Sequence, residues 1–149
     1  KGISLEKKIV NALRPLERLG ETPIVFQSES LKSLAEFRRL APRQHLTLLI
    51  AKNQRLNLDK IPRWIDILGL QKEHVLPFNQ FLRIAGNPTE VVVEAHARGF
   101  KVHVWTLRDE WWFRPFYWNG PVGEYQLLQS LGVDGVFSDN PETALRAFQ

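Results

Sequence analysis

Cysteine is absent from this chain of 149 residues, and so is methionine. Without thiols there is no disulfide, no thiolate metal site and no cysteine nucleophile, and the redox compartment stays undecided. No apolar run approaches the roughly twenty residues needed to cross a bilayer, and no charged-then-apolar leader stands at the start. A glycine-rich phosphate loop, His-Glu-x-x-His and Gly-x-Ser-x-Gly are missing too, and no two carboxylates are paired on one strand. The usual signatures of a complete active site are therefore lacking. There is also no internal repeat at a fixed period, no low-complexity tract and no linker rich in glycine or serine, so one unit is expected. The chain opens on Lys1 rather than methionine, which suggests a piece of something longer.

Charge of one sign is not concentrated. The formal net charge is +4 and the pI is near 9.6, which leaves room for an acidic partner, so the distribution decides. Lys7-Lys8 and Arg38-Arg39 are isolated doublets on predicted helices, with Glu6, Glu17 and Glu36 nearby. A groove that tracks phosphates needs clustered cations interleaved with stacking aromatics. Nucleic acid is not an expected partner, and a small anionic substrate remains compatible.

What the chain does contain is an alternation of short strands and helices. Leu5, Ile9, Leu13, Leu16 and Leu19 recur at helical spacing up to Gly20, with Pro15 the awkward residue inside. A strand follows over residues 23–28, then a helix from Ser30 that stops before Pro42. Residues 46–50 form a second strand, 52–60 a surface loop and 61–68 a short helix, and residues 75–78 are a possible short strand weakened by Pro77. Asn87-Pro88-Thr89-Glu90 has the pattern of a helix start with Asn87 as cap, and the helix runs to Gly99. Residues 101–106 are a strand and 124–131 a helix ending at Gly132. Residues 133–138 are the last strand, and a final helix starts at Pro141. This order implies α/β architecture with a parallel sheet, wound by right-handed crossovers into a barrel or an open sheet.

Parallel strands deliver ligand-facing side chains at their C-terminal ends, so the polar ends of the strands are where chemistry is sought. Trp105 sits near such an end, on the face of His103 and opposite Val102, Val104 and Thr106 by alternation. It is either a core residue or a pocket wall with one N–H to offer a ligand. Arg108 and Glu110 follow at the loop start. A guanidinium there could clamp a phosphate, or Arg108 could simply pair with Asp109 or Glu110. Trp111, Trp112, Phe113, Phe116, Tyr117 and Trp118 crowd the next loop, which reads as a lid, a cation-binding wall for an ammonium head group, or a lipid-dipping segment. His45, His74, His96 and His103 lie on different elements without ligand-like spacing, so each is read as a surface or core histidine.

With these residues in hand, the chain resembles the C-terminal half of a glycerophosphodiester phosphodiesterase. Four segments carry the likeness: Ile24-Val-Phe-Gln-Ser28 with Leu31-Lys-Ser-Leu and Leu40-Ala-Pro42; Glu94-Ala-His-Ala-Arg-Gly99; the strand Val102-His-Val-Trp-Thr106; and Gly132-Val-Asp-Gly-Val-Phe-Ser-Asp-Asn-Pro141. The resemblance implies an α/β fold, the C-terminal half of a TIM (β/α)8 barrel. The family's metal-dependent site hydrolyses glycerophosphodiesters to glycerol 3-phosphate and an alcohol.

The family's His-Arg-Gly strand, Glu-x-Asp pair, second histidine and Glu-x-Lys strand do not occur here. No catalytic residue and no metal ligand is carried over. A divalent metal, calcium or magnesium, is expected only in the complete enzyme, bound outside this chain. Gln27 and Trp105 are carried over as pocket walls, Arg108 and Glu110 stand with them as substrate-binding candidates, and Asp139 is read as a structural cap at the end of the last strand. The loop after Gln27-Ser28 lacks the family's usual Phe-Asp-Pro-like residues. Arg108, in a Thr-x-Arg-x-Glu pattern, resembles the periplasmic, GlpQ-like branch, which tilts localisation toward the periplasm or outside and leaves the cytoplasm open.

The chain alone is then expected to be inactive, to need the missing N-terminal half of the barrel, and to self-associate through uncovered sheet edges. The competing reading is a non-catalytic half barrel that recognises a choline-like or lipid head group. A phospholipase D-type toxin or a phosphatidylinositol-specific phospholipase C on a similar barrel fits the closing motif less well.

Overall fold

The computed structural model describes residues 4–17, 24–79, 81–115 and 120–149. Its strands are β1 (Val25–Ser28), β2 (His45–Ile50), β3 (Ile67–Gln71), β4 (Phe78–Asn79), β5 (Ile84–Ala85), β6 (Lys101–Leu107) and β7 (Gly135–Ser138). Its helices are α1 (Leu5–Glu17), α2 (Leu31–Leu40), α3 (Val91–Ala97), α4 (Gly120–Ser130) and α5 (Pro141–Ala147). Five strands form one parallel sheet in the order β1, β2, β3, β6, β7, while β4 and β5 form a separate antiparallel hairpin. Among the described residues no helix is long and apolar enough to cross a membrane.

Alternation along each strand sends one set of side chains to the helices and the other to the opposite, concave face. Phe26, Leu46, Leu48, Leu68, Leu70, Val102 and Val104 are buried on the helix side, in one cluster with Leu34 and Phe37 of α2, Ala95 of α3 and Leu128 of α4. Phe26 stacks on Phe37 with ring centres 4.3 Å apart. The Ser30 hydroxyl accepts the Ser33 amide at 3.3 Å, which satisfies a free donor at the start of α2. Gly99 and Gly132 follow α3 and α4 at φ 84° and 86°, a left-handed conformation that glycine adopts without steric cost.

Several expected elements move. Residues 61–68 are not a helix: a turn closes from Ile65 to Pro62, and the chain then runs into β3. Ile67, Leu68 and Leu70 are all buried, because a strand in mid-sheet is covered on both faces and loses the alternation that would reveal it. Residues 75–78 accordingly add no strand to the main sheet. They follow a 3-10 turn at Lys72–His74, and only Phe78 enters the small hairpin.

The helix signalled from Asn87 begins at Val91, with Glu90 in the capping position and no side-chain cap. Thr89 explains the delay, since its hydroxyl donates to the His74 carbonyl at 2.6 Å and its amide bonds to Val75. Helix α4 starts at Gly120, earlier than Glu124. The expected stop of the first helix at Gly20, and Phe116, Tyr117 and Trp118 of the aromatic loop, lie outside the described residues.

One arrangement occurs twice at the N-terminal end of the sheet. Asp66, just before β3, accepts the Leu46 amide at the start of β2 at 2.9 Å and Arg38 of α2 at 2.6 Å. Asp134, just before β7, accepts the Val102 amide of β6 at 2.8 Å and His96 of α3 at 2.8 Å. Each carboxylate thus fastens a strand to its neighbour and to the helix that precedes that neighbour. Burial alone would raise the Asp134 pKa, but the Val102 amide and His96 outweigh it and hold the carboxyl below its ordinary value.

Two consequences are testable by urea denaturation. A side chain at Gly69 would meet Leu49 Cδ2 at 2.6 Å and Thr47 Cγ2 at 2.9 Å, so Gly69→Val should cost about 1–3 kcal/mol. Because Asp134 titrates lower folded than unfolded, its contribution is complete above the unfolded value of 3.8 and is lost as pH falls through the folded one. Asp134→Asn should therefore be less stable than the parent near neutral pH, with the gap closing in strong acid. A gap independent of pH would remove the carboxylate from the account.

Candidate functional site

The concave face opens at the C-terminal ends of the strands into a cleft of about 210 Å³, lined by Gln27, Glu29, Leu49, Trp105, Thr106 and Phe137. Gln27 comes from β1 and Leu49 from β2, while Trp105 and Phe137 come from β6 and β7. The indole of Trp105 lies across β3 and donates its N–H to the Gly69 carbonyl at 2.7 Å. That donor is spent on the protein rather than offered to a ligand.

Strand β6 also carries a cis peptide between Trp105 and Thr106 and, from Val104 to Leu107, a register shift against β7. The shift places both Trp105 and Thr106 at the cleft between the buried Val104 and Leu107, so strict alternation, which would put them on opposite faces, fails here. Deeper on this face, His103 packs against Gly135 and sits 6.0 Å from the Phe137 ring. Burial, helped by Lys101 and opposed by Asp134, lowers its pKa and favours the neutral imidazole.

Arg108 does not line the cleft with Gln27, and its ion pair is not with Asp109 or Glu110. Its Nε bonds Asp139 Oδ2 at 2.8 Å, and its guanidinium lies 4.7 Å from the Phe113 ring centre. Asp139, at the end of β7, thus serves as the counter-ion of Arg108, and its amide bonds the Leu107 carbonyl of β6 at 3.1 Å, while Asn140 holds the capping position of α5. Asp109 is drawn to that helix instead, its amide donating to Asn140 Oδ1 at 3.1 Å and its Oδ2 accepting Thr143 at 2.6 Å. Glu110 is exposed at the start of the 3-10 turn Trp111–Phe113. Gln27 and Trp105 therefore share one cleft, while Arg108 and Glu110 lie outside its lining.

Lys72 and Glu124 were not singled out from the sequence. Both are buried, and Lys72 Nζ reaches Glu124 Oε1 at 2.8 Å. The same ammonium donates to the Phe113 carbonyl and lies 5.3 Å from the Phe78 ring centre. It ties the exit of β3 to the hairpin, the aromatic turn and α4. Burial raises the Glu124 pKa against the pull of Lys72, and its Oε2 finds no protein partner. Lys72 directly follows β3, so recognition of that strand would have placed it at a ligand-facing end. The Trp111 face that an ammonium head group would need is covered by Arg83, whose guanidinium lies 4.5 Å from the ring centre.

Among the described residues, no three histidine or carboxylate side chains converge to hold a metal ion. The described residues do not form a metal centre. What they offer chemically is a concave, partly apolar wall that carries the Gln27 amide.

Comparison with known proteins gives this architecture a context. The model of the glycerophosphoryl diester phosphodiesterase family matches residues 3–143. The chain is 36% identical over 84 residues to the Arabidopsis thaliana glycerophosphodiester phosphodiesterase GDPD6, covering 55% of this chain and 22% of that protein. The Oleispira antarctica phosphodiesterase solved with the product sn-glycerol-3-phosphate superposes with a TM-score of 0.64 at 19% identity, over 97% of this chain and 50% of that one. A glycerophosphodiester phosphodiesterase from Parabacteroides distasonis gives 0.58 at 17% identity, over 97% and 53%. The chain thus spans about half the length of these solved structures, and the sheet with its helices is half of a TIM barrel.

The buried pair provides its own test. Lys72→Met leaves Glu124 buried without a partner and should cost about 3–5 kcal/mol in urea denaturation, whereas replacing both by apolar residues should cost far less. Equal losses in the single and double variants would show that the charges do not act as a pair.

Proposed function

Because the chain belongs to the glycerophosphoryl diester phosphodiesterase family, we propose that it forms the substrate-side half of a barrel that hydrolyses glycerophosphodiesters to glycerol 3-phosphate and an alcohol. The observation that carries this reading is the cleft shared by Gln27 and Trp105 at the C-terminal end of a half-barrel sheet. In this barrel geometry, reacting groups gather at that end.

On this reading Gln27 and Trp105 wall the substrate. Arg108, oriented by Asp139 and Phe113, faces the phosphodiester charge, with Glu110 beside it at the rim. A divalent metal, calcium or magnesium, would neutralise phosphoryl oxygens in the complete enzyme, its ligands and the acid–base groups coming from the other half of the barrel. The strands β1 and β7 stand at the two edges of this sheet. Those edges are where the other half would pair, and where the isolated chain would self-associate.

Release of glycerol 3-phosphate from glycerophosphocholine, with added calcium or magnesium and a chelator control, tests this directly. The chain alone should give no turnover, and joining it to the first half of the barrel should give chelator-sensitive turnover. In that enzyme Arg108→Ala should raise KM about tenfold or more. Chelator-sensitive turnover by the chain alone would overturn the division of roles, and an unchanged KM would remove Arg108 from the substrate.

A further inference from the structure

We propose that the β4–β5 hairpin and the Trp111–Phe113 turn together form a docking surface for a phospholipid bilayer. The hairpin exposes Phe81 completely and Leu82 and Ile84 by 66% and 51%, and the turn adds Trp111 and Trp112, each about half exposed. Arg83 at the hairpin tip, at φ 53°, donates to the Arg114 carbonyl at 3.2 and 3.3 Å and covers the Trp111 ring, so the two turns are held side by side.

Three features favour a lipid occupant. Phe81 stands wholly in solvent beside a half-exposed indole pair, and protruding side chains suit a fluid apolar medium, which needs no matched socket. A protein partner would need one. Tryptophan and arginine are the residue types that settle at the head-group level, the indole at the polar–apolar boundary and the guanidinium toward phosphate. Charge is complementary as well: the Arg83 guanidinium lies between the apolar tips, over the Trp111 ring. Of the acids of the two strand ends, Asp139 is half exposed but paired with Arg108, Asp109 is engaged by Thr143, and Glu110 is exposed.

Both turns follow strands at their C-terminal ends, β3 and β6, the same end at which the cleft of Trp105 and Thr106 opens. Docking would turn the cleft mouth toward the bilayer. The proposal goes beyond the catalytic reading and needs no turnover, so either can fail without the other.

The experiment is co-sedimentation of the chain with extruded vesicles of phosphatidylcholine and phosphatidylserine, with tryptophan emission recorded on the same samples. The parent should sediment with the vesicles, shift its emission to the blue and be quenched by lipids brominated near the head group. F81S/L82S and W111A should partition about tenfold more weakly or worse. Leu145→Ser, at an exposed site on α5, should partition like the parent. Phe81 is fully exposed, so the double variant should keep the fold, which far-UV circular dichroism checks; quenching of the parent needs no variant at all.

Absence of sedimentation by the parent would overturn the proposal, as would equal partitioning of F81S/L82S. So would a vesicle-free dimer that the double variant dissolves, because the occupant would then be a second copy of the chain.

Discussion

The sealing of one face of a parallel sheet governs the rest of this molecule. Five strands bury Phe26, Leu46, Leu68, Leu70, Val102 and Val104 against the helices, and that commitment fixes which side chains are left to face the other way. A slip of one residue in any strand would exchange the two sets. Gln27, Leu49, Trp105 and Phe137 meet in a cleft because their immediate neighbours are held in the core. Position at the mouth is therefore decided by packing on the opposite side.

The two ends of the sheet are organised differently. At the N-terminal end, Asp66 and Asp134 repeat one solution, each joining a strand, its neighbour and a helix through a single carboxylate oxygen. At the C-terminal end the links are varied and cationic: Lys72 ties three segments together, Arg83 bridges two turns and Arg108 leans on Asp139 and Phe113. The first end is built for rigidity. The second holds its turns together with guanidinium and ammonium groups.

Much of this was legible in the residues. The strands β1, β2, β6 and β7, the serine start of α2, the glycine ends of α3 and α4 and the family likeness all rest on local signals that survive in the structure. Strand β3 was not legible, because Ile61, Trp64, Ile65 and Leu68 happen to fall at helical spacing and a doubly covered strand shows no alternation to contradict it. That error hid Lys72, whose position only makes sense after β3. The start of α3 failed for another reason: a distant carbonyl, that of His74, competes for the Thr89 hydroxyl. The aspartate clasps were invisible as well, since they repeat in space and not at a fixed interval in the chain.

The contact of Trp105 with Gly69 has a consequence for how this surface changes over generations. Strand β3 presents only a hydrogen at Gly69, the space above it is taken by Leu49 and Thr47 of β2, and an indole that belongs to β6 caps its carbonyl. One side chain thus lines the cleft for β6 and closes a backbone acceptor of β3. A mutation in the codon for residue 105 would redraw both at once, giving the lineage one genetic site at which cleft shape moves in a single large step.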